Sequence, residues 1–220
     1  MSSLTALGLF ANDARNLNKS ARTRAKLMDA AVGIFAREGF EAASVNRIAQ
    51  AADVVNGTFY LHFKDKDEIA AAVAFAIAAE VVRRLDEAMA EISDAAERVA
   101  CATRRFVEFA AERPDWGMAL FRAVWFFPQL RRQVTAYLKA DLERGAKQGV
   151  FTVPINAHLV DLAASMTVVA AFGRLQGEAG ADAGEDAAEM QLRMLGVPLK
   201  RAHKIARQPL PPLGIALKAL

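Results

Sequence analysis

Between residues 44 and 68 the chain reads SVNRIAQAADVVNGTFYLHFKDKDE. Val45, Ile48 and Ala49 give a short helix an apolar face, and Ala52-Asp53-Val54 breaks it. A second short helix follows at once with Gly57, Phe59 and Tyr60, then Phe63 and the charged group Lys64-Asp65-Lys66. Residues 20–38 add a third helix, with Leu27, Met28, Ala31, Ile34 and Phe35 on one side. Gly39 stands where a left-handed C-terminal cap is expected, so Phe40 folds back onto that apolar face. Ser44 is placed to cap the middle helix, although Arg47 where a Glu would complete it rules out a full capping box. Val54, Phe59 and Phe63 supply the contacts that lock the last helix onto the other two. Two short helices joined by a tight turn make a helix-turn-helix, whose second helix is sized for the DNA major groove. Three short helices form a small core that needs support from a larger domain.

Four elements in register resemble the DNA-binding signature of the TetR/AcrR family of bacterial repressors. They are Phe35-Ala36-Arg37-Glu38-Gly39-Phe40, Ile48-Ala49-Gln50-Ala51-Ala52-Asp53-Val54, Gly57-Thr58-Phe59-Tyr60-Leu61-His62-Phe63 and Lys66-Asp67. The specific similarity covers residues 22–69, and beyond them only the family's all-helical outline carries over. The resemblance implies an all-α chain: a three-helix helix-turn-helix DNA-binding domain, then a larger helical ligand-binding and dimerisation domain. It places DNA-contacting side chains among Arg22, Arg24, Ser44, Asn46, Val55, Asn56, Thr58, Tyr60, His62 and Lys66. Tyr60, His62 and Lys66 fall where the family pattern puts contacts to the DNA backbone.

Two positions depart from the pattern. Asp53 stands where Gly is usual, and Asp tolerates left-handed backbone better than most residues. Val55 stands where a small hydroxyl residue caps the recognition helix, a loss worth about 1 kcal/mol. Asn56 either caps in its place or pairs with adenine N6 and N7, and Val55 can pack on a thymine methyl.

Charge points the same way. Residues 1–66 hold 9 basic and 6 acidic side chains, whereas residues 67–220 hold 19 of each, so the whole net charge of +3 lies in the proposed DNA-binding part. The single Cys101 excludes an intramolecular disulfide framework and fits a cytoplasmic protein. No stretch of 18 or more apolar residues exists, so no membrane-spanning helix is expected, and Leu4–Ala11 lacks the basic segment that precedes a signal peptide's apolar core. His62, His158 and His203 are far apart and do not pair with Cys or carboxylates at metal-ligand spacing. There is no serine elbow, phosphate-cradling glycine loop or dinucleotide fingerprint. A non-enzymatic chain with no metal or cofactor is expected.

The expected organisation is a flexible arm over 1–19, the DNA-binding domain over 20–66, the ligand-binding and dimerisation domain over 67–208 and a Pro-rich tail over 209–220. The larger domain reads as helices over 67–92, 95–113 with a stop at Pro114, 115–126, 128–148, 157–176, 185–195 and 199–207. Seven of the chain's aromatic residues cluster between Phe106 and Phe127. On the residues alone, ordinary helical core explains such a cluster better than a cavity does. With the family resemblance, Phe106, Phe109, Trp116, Phe121, Trp125 and Met166 become the candidate lining of an apolar effector site. Arg105, Arg122 and Thr167 are candidate polar anchors. The small residues Ala163, Ala164, Ser165, Ala170, Ala171 and Gly173, with the helix at 185–195, suit a four-helix homodimer interface. The expected function is a ligand-responsive repressor that binds a palindrome of double-stranded DNA as a homodimer and is released by an apolar small molecule. The alternative is an all-helical carrier of hydrophobic small molecules with a vestigial DNA-binding motif, for which Asp53 and Val55 are the sequence support.

Overall fold

The computed structural model describes residues 18–112, 114 and 128–211. The described residues are helical, with no strand among them. The helices are α1 (Lys19–Ala42), α2 (Val45–Ala51), α3 (Asn56–Tyr60), α4 (Lys66–Ala88), α5 (Ala95–Glu112), α6 (Pro128–Lys147), α7 (Ala157–Gln176), α8 (Ala183–Met194) and α9 (Leu199–Arg207). The chain divides into two compact units, Met1–Ala76 and Ile77–Leu220, so the boundary falls inside α4 rather than at its start.

In the first unit α1 begins at Lys19, because the Asn18 side chain accepts a hydrogen bond from the Ala21 amide at 2.9 Å. Asn18 is thus the N-cap, and Lys19 is the first residue of the helix. Gly39 interrupts α1 with φ +77° and ψ 165°, a backbone region essentially restricted to glycine. The interruption turns Phe40 back, and its ring centroid lies 5.6 Å from that of Phe35. Leu27, Ala31, Ile48, Phe59, Phe63 and Ile69 close the core of this unit.

The second unit is built around α5. Ala95, Ala96, Val99 and Ala100 pack with Leu142 of α6, Val160 of α7, Ala188 and Leu192 of α8 and Ile205 of α9. Small residues on α5 let neighbouring helices come close. Gly145 of α6 is equally required: a Cβ there would stand 2.1 Å from the Phe151 ring that packs on it. Asn156 caps α7 by accepting from the Leu159 amide at 2.9 Å, and Gly177 ends it with φ +72°.

α4 ends at Ala88, short of the expected Ile92. The backbone tightens there into turns, with Ala90 N–H donating to Glu87 O and Ile92 N–H to Met89 O. Met89 O also accepts from the buried Arg98 guanidinium at 2.5 Å, which supplies the terminating carbonyl with a partner outside the helix. The helix expected over 115–126, with Trp116, Phe121, Arg122 and Trp125, lies outside the described residues, as does most of the arm and residues 212–220 of the tail. Pro114 is itself helical, and Arg113 beside it is outside the described residues.

Candidate nucleic-acid interface

The turn between α2 and α3 depends on one strained residue. Asp53 has φ +56°, the one positive φ outside glycine among the described residues. The chain closes around it through Asp53 N–H to Gln50 O at 3.1 Å and Val54 N–H to Ala49 O at 3.0 Å. The turn therefore forms without the usual glycine. Ser44 caps α2 as expected, accepting from the Arg47 amide at 3.4 Å. The Arg47 guanidinium reaches the Glu38 carboxylate at 2.7 Å and ties α2 to the end of α1.

α3 begins at Asn56, and Val55 is its N-cap, extended at φ −78° and ψ 153°, with no side-chain cap bond. Its first turn is held only through the Val55 carbonyl, which accepts from Thr58 N–H at 2.9 Å. Asn56 is thus not the cap; its side chain is exposed. We expect Val55→Ser to stabilise this unit by about 1 kcal/mol, because the backbone already has the dihedrals a serine cap needs. Thermal unfolding of the two proteins side by side checks it, and an unchanged or lower midpoint contradicts it.

Inward, α3 is anchored by Phe59 and Phe63, both buried, with ring centroids 5.8 Å apart. Tyr60 meets Phe59 edge-on at 5.5 Å while remaining exposed. Of the ten candidate DNA contacts, Arg22, Arg24, Ser44, Asn46, Val55, Asn56 and Tyr60 are exposed, and Thr58, His62 and Lys66 are half-buried. Two of the cations are already positioned from within. The Arg24 guanidinium lies 4.8 Å from the centroid of the Phe63 ring and donates to Met28 Sδ at 3.2 Å. The Lys66 ammonium sits 4.4 Å from the Phe40 ring centroid and donates to Phe40 O at 2.9 Å and Glu41 O at 3.3 Å. Lys66 thereby satisfies carbonyls where α1 ends, a role the sequence reading missed because the partners lie 26 and 25 residues away. Asp65 and Glu68 complete the entry to α4: Asp65 Oδ1 accepts from Glu68 N–H at 2.8 Å, and Glu68 Oε2 accepts from Lys64 N–H at 2.6 Å.

In the second unit the candidate effector residues divide. Phe109 is buried, Phe106 is half-buried against Val107, Ala110 and Ala171, and Met166 is half-buried on α7. Two buried polar clusters lie among these helices. Gln191 of α8 accepts from Thr103 Oγ1 at 2.6 Å and donates to Ala163 O at 2.6 Å and Thr167 Oγ1 at 2.8 Å. Thr167, a candidate anchor, is therefore engaged with Gln191. Arg105, another candidate anchor, donates to Glu108 at 2.9 Å and to Pro211 O. In the second cluster the Arg98 guanidinium donates to Asp141 Oδ1 at 2.6 Å, to Met89 O and to Asp86 Oδ1, joining α4, α5 and α6. Burial pushes the Asp141 carboxyl above the usual range, and the hydrogen bond from Arg98 pulls it back. Burial also pushes the Cys101 thiol up, against the pull of nearby Arg105 and Arg104.

The N-terminal unit matches the family model for bacterial regulatory proteins of the tetR family over residues 27–73. The model for the tetracyclin repressor-like C-terminal domain matches residues 94–208. The chain belongs to the TetR family. Among solved structures of similar fold is RolR in complex with resorcinol, 28% identical, with a TM-score of 0.78 over 89% of this chain and 98% of that one. Among sequence relatives, the fatty acid metabolism regulator protein of Bacillus subtilis (strain 168) is 33% identical over 75 residues, 34% of this chain but only 39% of that protein. The HTH-type transcriptional regulator YdgC of the same organism is 27% identical over 148 residues, 65% of this chain and 75% of that protein. Both family models thus fall on the helices described above, the first from within α1 to within α4 and the second on α5 to α9.

Proposed function

We propose that this TetR-family chain is a ligand-responsive transcriptional repressor that binds a palindromic operator as a homodimer and is released by an apolar small molecule. The observation that carries the reading is α3 and its N-cap: Phe59 is sealed in the core while Val55, Asn56 and Tyr60 stand in solvent, and Arg22 and Arg24 on α1 of the same unit are exposed as well. A recognition helix needs that division, and the turn at Asp53 preserves it, so the departure there does not favour a vestigial motif.

Homodimerisation is supported by α7 and α8. Ala163 and Ala171 face inward and are buried, whereas Leu162 and Val169 on α7 and Met190 on α8 are exposed. α7 is also the one helix among the described residues long and apolar enough to cross a membrane by length and composition. A second copy covering its outer face accounts for that composition in water. For the effector, aromatic Phe106 and Phe109 on α5 support an apolar ring-shaped ligand, and RolR, which binds resorcinol, makes resorcinol a suitable first probe. Titrating resorcinol and less polar aromatic compounds against a complex of the full chain with a fluorescent operator tests release. Affinity is expected to fall by the coupling energy, about 1–3 kcal/mol or roughly 5- to 150-fold. Operator affinity unaffected by any of them contradicts the apolar aromatic effector.

Lys66 supplies a second test. An ammonium has three N–H donors, and two go to the Phe40 and Glu41 carbonyls, leaving one for a phosphate. Lys66→Ala is expected to weaken binding alike on all DNA sequences and to lower the dependence of log K on log salt by about one unit. A changed base preference with the salt slope intact excludes the phosphate contact.

A further inference from the structure

Leu61 is the most exposed large apolar side chain among the described residues, at 82%. One exposed leucine is ordinary. Its place is not: among the described residues of the N-terminal unit, the exposed large apolar side chains are Val55, Tyr60 and Leu61, and all three belong to the five-residue helix α3 or its two caps. Leu61 contributes nothing to the core that Phe59 and Phe63 close. It keeps helical dihedrals, φ −73° and ψ −19°, so its direction follows the helix. Two residues beyond buried Phe59 is a rotation of about 200°, which turns Leu61 to the outward side. Four residues earlier on that same side is Gly57, exposed, where an added Cβ would meet nothing within 4 Å. No atom of Leu61 comes within 4 Å of that Cβ position, so the side chain stands out into solvent and leaves the backbone at Gly57 bare. The outward ridge of α3 is therefore a flat glycine followed by one projecting isobutyl group.

We infer that Leu61 is a specificity-determining residue that packs on the 5-methyl group of a thymine in the major groove. The thymine methyl is the apolar group that the major-groove base edges present, and the flat Gly57 lets the helix approach closely enough for a leucine to reach it. Leu61 is six residues from Val55, about 9 Å along a helix axis, so the two side chains lie over different base pairs. The inference rests on the DNA-binding reading given above.

The test uses the full chain and a duplex it selects from a randomised pool. Each thymine of the half-site is replaced in turn by deoxyuridine, which removes only the methyl. Wild type, Leu61→Ala and Leu61→Asn are compared on every duplex, with thermal unfolding as a check that the exposed substitutions leave the fold intact. At one thymine per half-site, loss of the methyl should weaken wild type about fourfold, the effect of burying one such group. At that position the same replacement should leave Leu61→Ala unchanged. Leu61→Asn should lose preference for thymine at that base pair. Equal losses for wild type and Leu61→Ala at every position, or no loss at any position, overturn the inference. Failure of the wild type to select any duplex defeats the DNA-binding reading itself and is seen before any methyl is removed.

Discussion

Replacing Phe59 by alanine should abolish operator binding while leaving the helices of the second unit folded. Phe59 is completely buried, and it contacts both Phe63 at 5.8 Å and Tyr60 at 5.5 Å between ring centroids. Truncating such a ring costs about 3–5 kcal/mol. A small unit has only about 5–15 kcal/mol of stability in total, and α3 has just five residues and no side-chain cap to hold it independently. The expected result is loss of hydrogen-exchange protection over residues 45–63, with the core built on α5 still protected. Operator affinity close to wild type in Phe59→Ala would show that α3 is not the reading helix.

The second large effect is expected at Arg98. Its guanidinium makes three charge-assisted or carbonyl bonds in the interior, to Asp141, Met89 and Asp86. Arg98→Ala leaves the Asp141 carboxylate buried without its cation, and breaking a buried pair in this way costs about 3–5 kcal/mol. The loss should depend on pH in a definite direction. Burial already raises the folded-state pKa of Asp141 above its unfolded value, and Arg98 works against that rise. Without Arg98 the folded pKa climbs further, so the folded state binds the proton more tightly than the unfolded chain. The deficit of Arg98→Ala should therefore be greatest near neutral pH and shrink as acid protonates Asp141. Urea unfolding of wild type and variant at neutral and mildly acidic pH reads this directly. A deficit that is constant with pH, or that grows in acid, contradicts the assignment. Replacing both Arg98 and Asp141 by leucine should recover much of the loss, because the one carboxylate that then loses its partner, Asp86, is partly exposed to solvent rather than buried.

The difference between what could be read from the residues and what could not follows sequence distance. The turn at Asp53, the cap at Ser44, the break at Gly39 and the cap at Asn156 are local, and each depends on neighbours within a few residues. Such features declare themselves through residue type. Arg98 and Asp141 are 43 residues apart, and Thr103 and Gln191 are 88 apart. Nothing in either neighbourhood distinguishes these side chains from solvated surface groups. The same holds for Lys66, whose carbonyl partners become visible only when α1 and the start of α4 meet. Leu61 does not stand out in the sequence for a different reason. In an amphipathic motif a leucine reads as core, and only its exposure beside buried Phe59 assigns it outward. Within the aromatic cluster, residue type did not separate Phe109, which is buried, from Phe106, which is half-buried, and Trp116, Phe121 and Trp125 lie outside the described residues.

Selection of duplexes from a randomised pool by the full-length chain, followed by titration of the enriched sequence at several salt concentrations, tests the central claim most directly. The account predicts an inverted repeat with half-site centres about one helical turn, roughly 34–36 Å, apart, bound by two protomers, with affinity falling steeply as salt rises. Binding that is equally strong on every sequence, or enrichment of no sequence at all, would contradict it.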